Sequence, residues 1–389
     1  MAHPAPLTPV PAAHAPVTVR TLTSVEDLTA LAPCWNALHE RAAGASIFNS
    51  WIWQYEWWRA YGTGRSLRLL VAESGGEAIG LLPLHLQQER RLGATATIAR
   101  LVGNGGDTYP DDLGAILAPG HEEAAARALA QAALAIPGVD VLRLLDMEPG
   151  TPFPAAMEAA ARAAGLSATR APAERIVYIN LPETWEAYLA SVTGHRRRHI
   201  RGARKKLNAE RRVRFLVWDD AGRLGEAFQR LSVLHHRRWR AAGEESGSFQ
   251  TPQYLGFHEA VMRSLLARGW LRLYCLEVDD EIVAMLYAYR FRKGIYVMQA
   301  GFDPGLAKWR IGQVLLNYSL EHAIGEGDRV FDFLRGAHSY KDELATSERE
   351  TVSVTVLKHG FAAAAWHAGE IRLPAWKRRL KALLRRPKA

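Results

Sequence analysis

The sequence predicts an α/β protein with mixed sheets, made of two similar units in tandem. Three observations carry that reading. Strand-like and helix-like stretches alternate along most of the chain, one hairpin pattern near Leu67 recurs near Leu271, and 48% of the 389 residues are hydrophobic. That content fills two or three cores of ordinary size, and such alternation is characteristic of layered α/β sheets.

In the first half, "SVEDLTALAPCWNALHERA" and "SWIWQYEWWRAYG" carry apolar residues at helical spacing. Trp51, Tyr55 and Trp58 recur along one face, which predicts a core stripe and not a ligand platform. "LRLLVAES" and "EAIGLLPLHLQ" form a hairpin about Gly75 and Gly76. A short strand "DLGAIL", a helix "HEEAAARALAQAALAI", a strand "VDVLRLL", a helix "PAAMEAAARAAG" and a strand "ERIVYINLP" follow. The second half opens at Pro182 with a long helix through a basic segment. It continues with a strand "VRFLVW", two helices, and the strands "WLRLYCLEV", "EIVAMLYAYRF" and "GIYVMQAGF". A helix from Ile311, the strand "RVFDFL", a short helix near "YKDELA" and the strand "TVSVTVLK" close it. The expected boundaries are a disordered leader over 1–16, a first unit over 17–181, a second over 182–362 and a basic tail over 363–389.

The repeat rests on identities and on the order of elements. "LRLLVAESGGEAIGLL" from Leu67 and "LRLYCLEVDDEIVAML" from Leu271 share Leu, Arg, Leu, Glu, Glu and Leu at equivalent places, with the turn in the same place. Downstream of each, a helix ends in glycine and feeds a strand, "AIPGVDVLRLL" and "IGEGDRVFDFL". In that alignment Arg143 stands where Asp332 stands, so the first half is expected to shape a cleft and leave the chemistry to the second.

Charge is concentrated in two places. Residues 195–214 hold ten Lys or Arg against one Glu, and the tail from Arg372 adds eight cations with no acid. With a net charge of +9, the remainder is net acidic. The basic run could bind nucleic acid through counterion release. Yet Trp185, Leu189, Val192, Ile200, Ala203 and Leu207 keep an apolar stripe through it, so its arginines equally describe the exposed face of an amphipathic helix. Two cysteines, Cys34 and Cys275, make no disulfide framework and no zinc pattern. No stretch is long and apolar enough to span a membrane. A reducing, cytoplasmic setting without a metal is expected.

Three stretches carry candidate chemistry. In "GFDPGLAKWRIGQVLLNYSL" (301–320) a strand runs through a proline turn and two cations into a helix beginning near Arg310 to Gly312. A helix start of this kind presents N–H groups without intrahelical partners, and its dipole favours an anion. It is a phosphate cradle or a plain strand-to-helix connection. In "VFDFLRGAHSYKDELA", Asp332 sits inside an apolar strand and needs a partner or a raised pKa. His338, Tyr340, Lys341 and Glu343 follow it as a dense set of proton donors and acceptors. "GNGGDTYPDDLG" places Asp107, Asp111 and Asp112 among glycines, a candidate substrate contact whose spacing fits no calcium loop. His235 and His236 show no metal spacing.

These motifs, in this order, resemble the GNAT acyltransferase superfamily, and within it the CelD/BcsL-like or BioF2-like acetyltransferases related to the Fem peptidoglycan transferases. The resemblance spans residues 45–360 and rests on "FNSWIWQYEWW", "IGLLPLHL", "RRRHIRGARKKL", the "HHRRW" helix, "EIVAMLYAYRF", "GFDPGLAKWRIGQVLL" and "FDFLRGAHSYKDELA". It implies tandem GNAT-like domains, each a mixed sheet splayed at its centre, with acetyl-CoA or another acyl-CoA as co-substrate in the second. Gln299, Gly301, Lys308, Arg310, Ile311, Gly312 and Gln313 are the implied cofactor contacts. The superfamily's loop has a second small residue where this chain has Val314. Asp332 is the first candidate base, then Glu343 or His338; Tyr340 is the candidate acid for the departing thiolate; Lys341 would contact an anionic group. The implied reaction is N- or O-acyl transfer to a small-molecule or sugar-containing acceptor, with exopolysaccharide precursors suggested by the relatives. Two other classes stay open: a Fem-like transferase drawing on aminoacyl-tRNA, the one enzymatic reading that needs nucleic acid, and a non-catalytic GNAT-fold interaction or nucleic-acid-binding module.

Overall fold

The computed structural model describes residues 16–336, 339–374 and 376. The first half contains β1 (Thr18–Leu22), α1 (Val25–Ala30), α2 (Ala32–Arg41), α3 (Trp51–Tyr61), β2 (Ser66–Ser74), β3 (Glu77–Arg91), β4 (Ala94–Leu101), β5 (Ile116–Leu117), α4 (Glu122–Ala135), β6 (Val141–Met147), α5 (Phe153–Ala163) and β7 (Ser167–Asn180). The second contains α6 (Trp185–Ser191), α7 (Gly194–Glu210), β8 (Val213–Val217), α8 (Leu224–Ala241), α9 (Pro252–Ala267), β9 (Leu271–Val278), β10 (Glu281–Phe291) and β11 (Gly294–Phe302). After a 3₁₀ turn over Pro304–Trp309 come α10 (Ile311–Gly325), β12 (Val330–Asp332), α11 (Ser339–Leu344), β13 (Ser347–Leu357) and α12 (Phe361–His367).

The strands form one mixed sheet in the order β1-β2-β3-β4-β6-β13-β7-β12-β11-β10-β9-β8, with β5 on β3. Parallel pairing within this path occurs once in each half, β4 with β6 and β11 with β12, where a helix makes the crossover.

Backbone geometry repeats as the sequence does. Gly75 and Gly76 in the first hairpin, and Asp279 and Asp280 in the second, all have positive φ, the signature of a two-residue turn matched to strand twist. Both hairpins then skip one residue at the same aligned position: Ile79 is passed over between β2 and β3, and Val283 between β9 and β10. A shared bulge is a detail that chance similarity of apolar strands does not supply.

The halves are joined by exchange. By order of elements β7 and β13 are equivalent, but β7 pairs with β12 of the second half, and β13 pairs with β6 of the first. The two also pair with each other along most of their length. The boundary after residue 181 therefore divides the chain but not the sheet. The end of the second half lies inside the first half's sheet.

The large core of one face is built on α1–α5, α8 and α9, and a second core lies beneath α6, α7 and α10. In α3 the most deeply buried aromatics are Trp53 and Trp57, at 1% and 0% exposure. Trp51 and Tyr55 stack on each other half-buried, their rings 4.5 Å apart. Of the predicted stripe Trp58 is in the core, at 8% exposure, while the deepest face lies about half a turn away; with aromatics at five of the eight positions of "WIWQYEWW", the period alone cannot fix the phase.

The basic segment is broken, not one long helix: Val192 and Thr193 separate α6 from α7, with the Thr193 side chain capping α7. Several of its arginines are structural. Arg197 donates to the carbonyls of Leu189, Ala190 and Val192 at the end of α6. Arg204 lies over the Trp185 and Tyr318 rings and pairs with Glu321 at 2.5 Å. Residues 361–374 are not a free tail, since Trp366 is 1% exposed and donates to Glu89. The cations beyond residue 376, and the leader over 1–15, lie outside the described residues.

Candidate active site

β11 and β12 stay paired for three residues, ending at Tyr296 opposite Asp332. Beyond that point β11 continues to Phe302 while β12 stops, so the sheet parts at its centre. Just past the parting, the register with β10 runs Ala288↔Val297 and then Tyr287↔Gln299, so Met298 is bulged out of the ladder. Its backbone is released from regular pairing where the sheet opens, a setting in which bulges re-aim groups toward a site.

The helix start lies past the end of β11. Arg310 occupies the left-handed region at φ 53° and caps α10 without a side-chain bond. Among the described residues the N–H groups of Ile311 and Gly312 have no partner, while those of Gln313 and Val314 donate to the Arg310 carbonyl. Two unpaired N–H groups at the positive end of a 15-residue helix suit an anionic oxygen. Lys308 sits over the Trp309 ring, and Arg310 donates to His199 Nδ1 at 2.9 Å. The charge of His195 chiefly, with partial burial and Arg310, holds the His199 pKa below its ordinary value.

The glycines here serve packing. A Cβ on Gly312 would stand 2.9 Å from the Phe302 ring. The space of its missing Cβ is taken by that ring, while its N–H stays unpaired among the described residues. Gly301 is tighter: a Cβ would stand 2.4 Å from the His235 backbone nitrogen on α8. Gly301→Ala is therefore expected to lower stability by about 1–3 kcal/mol through overpacking, read as a fall in denaturant midpoint. Gln299 donates to Ser248 and Tyr254, so its amide is fixed by the fold, whereas Gln313 is exposed on the first turn of α10.

The acidic loop of the first half straps the two halves together. Asp107 accepts from Tyr61 and from Thr251, the cap of α9. Asp111, fully buried, accepts from the backbone and guanidinium of Arg335. Asp112 receives both Arg349 amino groups at 2.5 and 2.7 Å. Asp107 and Asp111 are thus held by contacts within the protein, and neither lines the cavity described below. Asp107→Ala removes two bonds to a charged acceptor and is expected to lower stability by about 2 kcal/mol, measured by chemical denaturation.

Asp332 is 2% exposed. Its Oδ1 accepts from the Leu334 N–H at 2.7 Å, and its Oδ2 faces Arg349 at 3.0 Å. Arg349, on β13, bridges Asp112 from one half and Asp332 from the other. Arg335 repeats the pattern with Asp111 at 2.7 Å and Asp146 at 2.9 Å. Burial raises all three carboxyl pKa values that show a shift, against the pull of the arginines: Asp111 is pushed up to about 6, Asp112 to about 7, and Asp332 upward. Asp112, Asp146 and Leu334 each hold a positive φ. For a leucine that conformation is strained, and it is kept by the bonds around it.

Lys341, expected to meet an anionic group, does something else. It is buried, and its ammonium donates to the carbonyls of Phe333 at 2.8 Å and Arg335 at 3.0 Å. It clamps the segment after β12, and burial lowers its pKa to about 8. Lys341→Met is expected to loosen that segment, giving faster amide exchange at residues 333–335 and a loss of about 1–3 kcal/mol. Glu343 is exposed, with its carbonyl bonded to Arg196. Tyr340 lies on α11, its side chain outside what is described, and His338 lies outside the described residues.

A cavity of about 620 Å³ lies on the first-half side of the parting. Tyr296, Asp332 and Arg349 form its floor with Asp112; Ser46, Glu122, Glu148 and Thr151 from the first half complete its walls. Such a volume suits a small organic ligand. Of the expected site residues, the structure brings Asp332 and Asp112 together here. It keeps Lys308, Arg310 and Gln313 on the loop and first turn that start α10.

Residues 194–342 match the family model described as Acetyltransferase (GNAT) domain. That stretch contains the parting strands and the helix start. No curated protein matches the sequence. Among solved structures, FemX superposes with a TM-score of 0.61 at 10% identity, over 90% of this chain and 99% of that one. A conserved protein of unknown function from Bacteroides thetaiotaomicron VPI-5482 gives 0.53 at 14%, over 86% and 98%. The C-terminal domain of a putative lysylphosphatidylglycerol synthetase from Agrobacterium fabrum gives 0.50 at 12%, over 90% and 97%. At such identities the likeness concerns the fold. Residues 194–342 thus have a GNAT-type fold, within a chain of two repeated units joined here by exchanged strands. Among the described residues no cluster of His, Cys, Asp and Glu could hold a metal ion, and no helix is long and apolar enough to cross a membrane.

Proposed function

We propose that this chain transfers an acyl group, most simply acetyl, from acyl-CoA to an acceptor seated in the cavity, as in the CelD/BcsL-like branch. The carrying observation is the parting of β11 and β12 at Tyr296 and Asp332. It joins a cavity floored by buried carboxylates to a strand edge leading to an anion-suited helix start. The pyrophosphate would meet the Ile311 and Gly312 N–H groups, with Lys308 and Arg310 beside it. The acceptor's nucleophilic atom attacks the thioester carbonyl carbon, and the Met298 N–H supports the developing oxyanion. Asp332 takes the acceptor's proton, directly or through water. The C–S bond breaks, and the thiolate leaves with a proton from Tyr340.

Titration of acetyl-CoA into the protein tests this reading. Saturable binding is expected, weakened about threefold or more by Arg310→Gln. Arg310→Gln is cleaner than a change at Gly312, which would displace Phe302. Absence of binding to the wild-type protein overturns the proposal. One observation favours a second reading. Arg198, Arg201, Lys205 and Lys206 on α7 have no ion-pair partner among the described residues, and a basic face beside the helix start suits the aminoacyl-tRNA donor of a Fem-like transferase. Binding of aminoacyl-tRNA, falling steeply with salt and without acetyl-CoA affinity, would select it.

A further inference from the structure

The cavity's charge bears on what its occupant must be. Its wall carries four carboxylates, Asp112, Glu122, Glu148 and Asp332, against one guanidinium, Arg349. That guanidinium is already committed: it meets Asp112 with both amino groups and Asp332 with one of them. Glu122, on the first turn of α4, and Glu148, after β6, have no cationic partner among the described residues. Behind the floor, Arg335 is likewise shared by Asp111 and Asp146. The cavity is therefore lined by an excess of carboxylates, with apolar residues such as Ala115 and Leu117 beside them.

We propose that the acceptor is a cationic compound bearing at least two amino groups and no phosphate. One amine is delivered toward Asp332 for acylation, and another is held as an ammonium by Glu122 and Glu148. This rests on the acyl-transfer reading and narrows it. An anionic acceptor, a sugar nucleotide or sugar phosphate, would enter a cavity whose one cation is already neutralised. Depth separates the two roles. Asp332 and Asp112 are at the buried end, at 2% and 7% exposure, and Glu122 and Glu148 are half-buried nearer the rim. A ligand with two amines offers one to each group of carboxylates, whereas a monoamine offers only one. The inner amine reacts in its neutral form: its nitrogen bonds to the acyl carbon, the Asp332 carboxylate accepts the proton that the nitrogen loses, and the C–S bond breaks with CoA leaving as the thiolate, so the step needs no co-reactant beyond acyl-CoA.

The experiment uses the full chain with spermidine, putrescine, ethylamine and glucosamine 6-phosphate as probes. Each is titrated with and without acetyl-CoA, and product is followed by mass spectrometry. Spermidine and putrescine are expected to bind and be mono-acylated, ethylamine to bind at least tenfold more weakly, and the sugar phosphate not to bind. Glu122→Gln with Glu148→Gln should weaken spermidine roughly tenfold, the sum of two half-exposed ion pairs, while acetyl-CoA affinity is unchanged. Transfer to the sugar phosphate in preference to the diamines, or spermidine affinity indifferent to both substitutions, overturns the inference and leaves acyl transfer standing. Spermidine binding that depends on both glutamates, without acetyl-CoA binding, overturns the acyl-transfer reading and keeps the cationic site.

Discussion

Asp332→Asn is expected to lower turnover of acetyl-CoA by about 10²- to 10⁴-fold, the usual range for a positioned general base. Acetyl-CoA affinity should be held, so the loss falls on kcat. The carboxylate sits at the point where the strands part, with one oxygen fixed by the Leu334 N–H and the other facing Arg349. Burial lifts its pKa above the ordinary 3.8, while Arg349, the Leu334 N–H and Lys341 pull it down; Asp111 and Asp112 stand close by as further negative charge. A base so placed is more basic than an exposed aspartate. The wild-type rate should therefore rise with pH through a limb lying above that of an exposed carboxylate, and the limb should vanish in the asparagine variant. Unchanged turnover in Asp332→Asn would remove the assignment.

Arg349→Met is expected to cost about 3–5 kcal/mol of stability, as when one partner of a buried ion pair is removed. The substitution strands two carboxylates at once, Asp112 and Asp332, on opposite sides of the seam between the halves. With total stabilities of about 5–15 kcal/mol, the variant should melt far below the wild type. Asp112→Asn in the same chain should recover part of the loss, because one of the two orphaned charges is gone. A related pH effect follows from Asp112 alone. Its folded pKa, about 7, lies above its ordinary value of 3.8. Its contribution to stability is complete below the ordinary value and is lost as pH rises through about 7. Asp112→Asn should therefore flatten the wild-type decline between those limits, measured as the difference between the two proteins' unfolding free energies. A steeper decline in the variant would contradict the burial of this carboxylate.

Much of the fold was legible because it is local. The paired hairpins, their turns at Gly75–Gly76 and Asp279–Asp280, and the helix after the proline turn are each specified within about a dozen residues by turn chemistry and apolar period. The strand exchange was not legible. β7 and β13 read alike as closing strands, and nothing within either says which half it will join. The site divides the same way. Asp332 announced itself as a carboxylate in an apolar strand, and Asp112 as part of an acidic loop. Their organising partners did not, since Arg335 and Arg349 lie 224 and 237 residues from Asp111 and Asp112. An arginine in the alternating run "SERETVSV" looks like any solvent-facing strand residue. At Gly301 and Gly312 the sequence does not show why glycine is there: in both the missing Cβ makes room for protein, α8 in one case and Phe302 in the other. Met298 had no sequence signal, because a bulge is a property of the register between two strands.

The central claim is that acyl-CoA lies in the gap between β11 and β12 with its thioester at the cavity. A crystal structure of the protein with acetyl-CoA tests it most directly. The account expects the pyrophosphate on the N–H groups of Ile311 and Gly312, the thioester oxygen about 3 Å from the Met298 nitrogen, and the acetyl group pointing at Asp332. Acetyl-CoA bound away from the α10 start, or with its thioester on the far side of the sheet from the cavity, would contradict it.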